Sequence, residues 1–127
     1  MVVLDTDVLI EFSRGNPEIG EKVKQLQQIE EISTTIFNLE EYLFGLYKNG
    51  QKEEIEEGKN FLNRIKHHEY TKKELETVAK LKVKLERQGK KIGPYDECIA
   101  GICIAKNEPL FTLNKKHFER AKELKLI

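Results

Sequence analysis

A chain of 127 residues, 39% hydrophobic and 35% charged with three prolines, is patterned for one compact domain and excludes a disordered or low-complexity protein. No apolar run approaches a membrane span, and no signal-peptide pattern precedes the first hydrophobic stretch. The spacing of Cys98 and Cys103 suits neither a disulfide nor a zinc knuckle, so a single domain over residues 1–127 in a reducing cytoplasm is expected. The net charge of +0 hides an asymmetry: residues 1–60 carry 13 acids against 6 Lys/Arg, and residues 61–127 carry 9 acids against 16 Lys/Arg. Two solvated helix faces would explain this, as would a polyanion lying on the basic half beside an acidic, metal-holding site.

Val2 to Thr6 reads as a strand, and "GNPE" as a helix start with Asn16 capping and Pro17 in the first turn; Ile19, Val23, Leu26 and Ile29 are its stripe. Ile32 to Thr34 reads as a second strand. The following helix carries Ile36, Leu39, Leu43 and Tyr47 on one face and stops at Asn49-Gly50. Residues 52–66 are helical, and "HHEY" a short strand. Thr71 and Glu74 form a capping box for a helix with Leu75, Val78, Leu81 and Leu85 inside. Pro94 opens a helix buried through Ile99, Ile102 and Cys103. "PLFTLN" is a strand, "KKHFERAKEL" a short helix and "LKLI" a terminal strand. Strands alternating with helices imply a parallel sheet with helices on both faces.

Such sheets bind ligands beyond the carboxyl ends of their strands. Only three of the 22 acids are Asp: Asp5, Asp7 and Asp96. Asp5 falls at the end of the first strand, with Thr6 placed to hold it or a ligand. Asn114 falls at the end of the strand before the last helix. Glu40 and Glu41 stand in the helix after the second strand, and Asp96 in the first turn of its own helix. Oxygen ligands with no thiolate or histidine suit Mg²⁺ or Mn²⁺ and phosphate chemistry. Each acid also has a plain reading. Asp96 can cap its helix, Glu41 can complete a capping box with Asn38, and Asp5-Thr6 can make a turn. The cysteines are expected in the core, and His67, His68 and His117 at the surface or half-buried rather than as ligands or bases.

Four segments in order resemble the PIN-domain family, in particular the VapC toxins of prokaryotic toxin–antitoxin pairs: "VVLDTDVLI", "TTIFNLEEYLFGL", "IGPYDECIAGICIA" and "LFTLNKKHFERAKELKL". The resemblance implies a three-layer α/β/α fold with a five-stranded parallel sheet. It implies a Mg²⁺-dependent (or Mn²⁺-dependent) endoribonuclease that cleaves tRNA or rRNA phosphodiester bonds with metal-activated water. It assigns Asp5, Glu41 and Asp96 as catalytic and metal-binding acids, with Thr6, Thr112 and Asn114 supporting them. Asn114 departs from members with a fourth acid there, which bears on a second metal. The implied partners are a VapB-type antitoxin, which alone contacts DNA, and a second copy in a homodimer; no membrane is involved.

Asp5-Thr6-Asp7 also fits the Asp-x-Asp spacing of haloacid-dehalogenase phosphatases, although the residues after it do not. A catalytically inactive PIN-like interaction module is the non-enzymatic alternative. Within the opening pair Asp5 is expected to be essential, and Asp7 to serve a turn or helix start. A helical wheel puts Glu40 nearer the packed stripe, whereas the family spacing, a Glu four before a Gly, selects Glu41 with Gly45 one turn on.

Overall fold

The structure is a computed structural model that describes residues 1–127. Its elements are β1 (Val2–Leu4), α1 (Thr6–Ser13), α2 (Pro17–Gln27), β2 (Ile32–Thr35), α3 (Ile36–Asn49), α4 (Lys52–Leu62), β3 (Lys66–His68), α5 (Lys72–Arg87), α6 (Pro94–Lys106), β4 (Leu110–Phe111) and α7 (Lys115–Phe118). The four strands are all parallel, in the order β3-β2-β1-β4. β1 is central and buried on both faces, which is why Val2, Val3 and Leu4 run without a polar break. Alternation along it splits the core. Val3 packs with Leu81, Leu85, Ile99 and Leu110 under α5 and α6, while Val2 and Leu4 pack with Leu9, Val23 and Tyr42 under α1 to α3. These are the three expected layers.

The sheet has four strands rather than the expected five. "LKLI" contributes one parallel bridge, Leu110 to Leu126, closed by Leu110 N–H to the Lys125 carbonyl and Ile127 N–H to the Leu110 carbonyl, both at 2.9 Å. Two hydrogen bonds fix a crossing point and do not build a strand. The strand expected over 109–114 is confined to Leu110–Phe111, and the last helix to Lys115–Phe118. β1 ends at Leu4 instead of Thr6, because Asp5 is already the N-cap of α1.

Three apolar stripes differ from expectation at an outer member: Ile29 beyond α2, Tyr47 on α3 and Leu75 on α5 are exposed. In α3 the inward face runs through Asn38 and Tyr42, with Glu41 and Gly45 beside them. Leu39 and Leu43 pack on the core as expected, whereas the buried Asn38 amide and the half-buried Glu41 are invisible to a hydrophobic count. α6 is buried without interruption from Glu97 to Cys103, as suits a helix enclosed by its neighbours. It crosses α5 at Gly101, where a Cβ would stand 2.4 Å from Val78 Cγ2, so only glycine permits the approach. Both cysteines are free and buried, as core residues. No helix is long and apolar enough to cross a membrane.

The topology fixes where a site can form. From β1 the chain moves to β2 and β3 on one side, then returns past β1 to place β4 on the other. The crevice beyond the carboxyl ends of β1 and β4 is a topological switch point. Asp5 directly follows β1, and Thr112 directly follows β4.

Candidate active site

Asp5 is 7% exposed and both its oxygens are engaged. Oδ1 accepts from the Thr6 amide (2.9 Å) and from Asn38 Nδ2 (3.0 Å), and Oδ2 accepts from the Thr112 hydroxyl (2.7 Å). Burial, then the nearby charge of Asp7, raises its carboxyl from 3.8 to about 6 in spite of those donors. The two carboxylates of this apolar stretch have different surroundings. Asp5 is buried among donors, and Asp7 sits in the first turn of α1 with its oxygens on backbone amides. Val8 N–H donates to Asp7 Oδ1 at 2.7 Å, and Leu113 N–H to Oδ2 at 3.2 Å. Asp7 therefore pins the loop after β4 to the start of α1.

Thr6 links the pair to α3. Its hydroxyl donates to Glu41 Oε1 at 2.8 Å and accepts from Asn38 Nδ2 at 2.9 Å. Glu41 is half-buried, and burial first, with Asp96 and Asp7 behind it, raises its carboxyl. Glu40 is exposed and takes the Tyr95 hydroxyl instead. The wheel reading of the Glu40–Glu41 pair is thus reversed by the actual inward face of α3. Gly45 has open space where a side chain would be and lines a concavity of about 900 Å³ between α1, α3 and α4, which contains none of the Asp5–Glu41–Asp96 set.

Asp96 reaches the cleft from the first turn of α6. Gly93, at φ +101°, makes the turn into Pro94 that only glycine adopts readily. The carboxylate does not cap its own helix: Oδ2 lies 2.8 Å from His117 Nε2. His117 is half-buried, as expected, but its partner Asp96 is not legible in the sequence. It is held there because α7, only four residues long, is anchored by its neighbour Phe118, which is 1% exposed in the core. On the β4 side, Asn114 N–H donates to the Thr112 hydroxyl at 3.1 Å while its residue is exposed.

Asn38 was missed as a site residue. It is fully buried, its amide bridges Asp5 and Thr6, and its carbonyl accepts the Thr35 hydroxyl at 2.7 Å. The capping box belongs to Thr35 and Asn38, not to Asn38 and Glu41, since the helix starts at Ile36. The available signal was a polar residue three before Glu41 in an otherwise apolar run.

The carboxylates interact electrically, since Asp96 contributes to raising Asp5, Asp7 and Glu41. They are nevertheless each turned to a donor, and no three His, Cys, Asp or Glu side chains close on one point at ligand distance. The donor chemistry fits a hard divalent cation: oxygen only, with buried like charges that a cation would stabilise as anions. Asp5, Glu41 and Asp96 are the residues that would hold it.

The PIN-domain family model matches residues 2–124. This chain belongs to the PIN-domain family. The membership and the placement of Asp7 in a helical turn set aside the phosphatase reading of Asp5-Thr6-Asp7. The PIN chain is 29% identical over 126 residues to ribonuclease VapC1 of Methanocaldococcus jannaschii, covering 98% of this chain and 84% of that one. It is 27% identical to the tRNA(fMet)-specific endonuclease VapC of Shigella flexneri over 93% of this chain and 89% of the relative. The crystal structure of VapBC2 from Rickettsia felis bound to a promoter DNA fragment superposes on it with a TM-score of 0.92 at 27% identity, covering 100% of this chain and 98% of that one.

Proposed function

We propose that this PIN domain is a divalent-metal-dependent endoribonuclease and the toxin of a VapBC-type pair. The observation that carries the reading is that Asp5, Glu41 and Asp96 lie close enough to influence one another electrically beside the β1/β4 switch point, with Thr6 and Thr112 bonded to Glu41 and Asp5 and Asn114 bonded to Thr112. The names of its relatives, ribonuclease VapC and tRNA(fMet)-specific endonuclease VapC, support RNA as the substrate, and the second supports tRNA; rRNA remains the other substrate of the proposal. The VapBC structures that share its fold support a VapB-type antitoxin as partner, with any DNA contact made by the antitoxin. A homodimer and a cytoplasmic location belong to the same reading.

Bound Mg²⁺ or Mn²⁺ supplies positive charge against a phosphodiester and makes water more acidic. The chain's own groups do the rest. Asp5 is fixed by three donors, so its carboxylate is preorganised with no reorientation left at the moment of reaction. Thr6 holds Glu41 toward the same space, where a carboxylate with a raised affinity for protons can orient or accept one from water. His117 holds Asp96 by one oxygen and leaves the other free. Burial of Asp5 and Thr112 keeps bulk water from competing for these contacts.

The test is cleavage of tRNA and rRNA with Mg²⁺ or Mn²⁺, with and without chelator, by the wild type and by Asp96→Asn. A folded Asp96→Asn variant is expected to lose activity by orders of magnitude. An interaction module would show neither cleavage nor specific Mn²⁺ binding in a titration.

A further inference from the structure

We propose that the exposed cations Lys90, Lys91, Lys115, Lys116 and Arg120 form one ridge beside the carboxylate cleft, and that this ridge binds the phosphates of the RNA strand flanking the cleaved bond. The inference rests on the nuclease reading above and adds to it the side from which the substrate lies on the protein.

The two basic segments are distant in sequence and are stitched together by side chains of the last turn region. Two successive carbonyls of the loop before α6 each accept from it: Lys91 from Arg120 Nη1 and Ile92 from His117 Nε2, both at 2.9 Å. The same His117 nitrogen contacts Asp96, so the stitch also ties the loop to the cleft. Lys115 follows Asn114 directly, and the preceding amides of Asn114 and Leu113 bond to Thr112 and Asp7. All five cations are exposed. The only ion pair among them is Lys91 with Glu86, at the outer distance of 4.0 Å.

Five exposed cations on two segments joined by those bonds repel one another, a cost that a bound polyanion lowers. The cleft itself repels phosphate through its acids until a cation is bound. The opposite flank does so as well, since exposed Glu40, Glu54 and Glu57 stand on α3 and α4. The ridge therefore offers phosphates a basic approach beside the cleft. Phosphate contacts carry no sequence information, so the ridge positions RNA and leaves the choice of site to other contacts.

The experiment is fluorescence anisotropy of a labelled single-stranded RNA of random sequence, in excess chelator so that nothing is cleaved, over a range of salt. The proteins are wild type, Lys90→Ala/Lys91→Ala, Lys115→Ala/Lys116→Ala, and the control Lys22→Ala/Lys24→Ala. The control pair is exposed on α2, whose last turn leads to the amino edge of the sheet. Each ridge pair is expected to weaken binding about tenfold near 0.1 M salt and to lower the log–log salt slope by roughly 1.4, while the control pair changes neither. Unchanged affinity and slope in both ridge variants, an equal loss in the control, no binding by the wild type, or tighter binding of an acidic peptide than of RNA would each overturn the ridge. Cleavage is measured separately with Mg²⁺ or Mn²⁺. A protein that cuts RNA while its ridge variants bind normally keeps the nuclease reading and loses the ridge. One that binds through the ridge and never cuts does the reverse.

Discussion

His117 Nε2 stands between two acceptors, the Asp96 carboxylate at 2.8 Å and the Ile92 carbonyl at 2.9 Å. A carbonyl cannot donate, so this nitrogen carries a hydrogen and cannot be a metal ligand in this arrangement. It fixes one oxygen of Asp96 and the loop before α6 together. His117→Ala is expected to fold, because Phe118 still anchors α7, and to lose about 10- to 100-fold in cleavage, as removal of a partner behind a ligand does. The loss should show as a higher Mn²⁺ concentration for half-activity, and His117→Gln, which keeps a donor, should recover part of it. An alanine variant with wild-type Mn²⁺ dependence would mean that the bond is structural only.

Asp5 makes the site costly to keep folded. Its carboxyl is raised from 3.8 to about 6, so between those values the folded chain holds a proton that the unfolded chain has released. Stability therefore falls as pH rises through that window, and the penalty is complete above it, at about 3 kcal/mol. Asp5→Asn removes the charge. Its amide oxygen can still accept from Thr6 and Asn38, and its NH₂ can donate to the freely rotating Thr112 hydroxyl. The variant should be inactive yet more stable than wild type at pH 7.5, with the advantage shrinking toward pH 4. Urea unfolding at the two pH values measures this; a variant less stable than wild type at pH 7.5 contradicts it.

The layers and most helices were legible because their signals are local. Asn16-Pro17, Thr71 with Glu74 and Gly93-Pro94 mark helix starts by chemistry that acts within four residues, and all three stand where expected. Asp5 and Thr6 are placed by their position at a strand end, which a parallel sheet converts into a shared crevice, and Thr112 by the family resemblance. Asn38 and His117 were not legible, since the value of each lies in one distant partner, Asp5 across 33 residues and Asp96 across 21. The terminal strand failed for the opposite reason. "LKLI" has strand composition, but the pairing it finds is a single bridge, and composition does not count hydrogen bonds.

Asn38 spends all of its hydrogen-bonding capacity inside the protein. Nδ2 donates to Asp5 and Thr6, and Oδ1 accepts the Thr35 hydroxyl at 2.7 Å and its amide at 3.3 Å. Asn38→Ala strands a buried hydroxyl, an amide and part of a carboxylate, and is expected to cost about 3 kcal/mol in chemical unfolding. Asn38→Asp keeps the shape and replaces a donor to Asp5 with a second carboxylate. It should be tolerated better at pH 4.5 than at pH 7.5, where both groups ionise and repel; equal losses at the two pH values would argue against direct contact with the Asp5 anion.

Glu40 and Glu41 are adjacent in sequence and serve different neighbours. Glu41 accepts the Thr6 hydroxyl inside the cleft, whereas Glu40 is exposed and takes the Tyr95 hydroxyl at its rim. Replacing Glu41 by Gln keeps a group able to accept from Thr6 but removes the negative charge that a divalent ion or a proton from water would need. Glu41→Gln is therefore expected to lower cleavage by at least 100-fold at saturating Mg²⁺, within the range for loss of a positioned acid–base group. Removing a charge that burial and Asp96 disfavour should also leave its stability equal to or above wild type. Glu40→Gln still accepts from Tyr95 and should stay within about threefold of wild type, because an exposed carboxylate contributes little through a screened surface. One RNA-cleavage assay on the two variants, with melting curves to show that both are folded, decides the assignment. A dead Glu40→Gln beside an active Glu41→Gln would mean that the rim carboxylate, and not the one held by Thr6, serves the reaction.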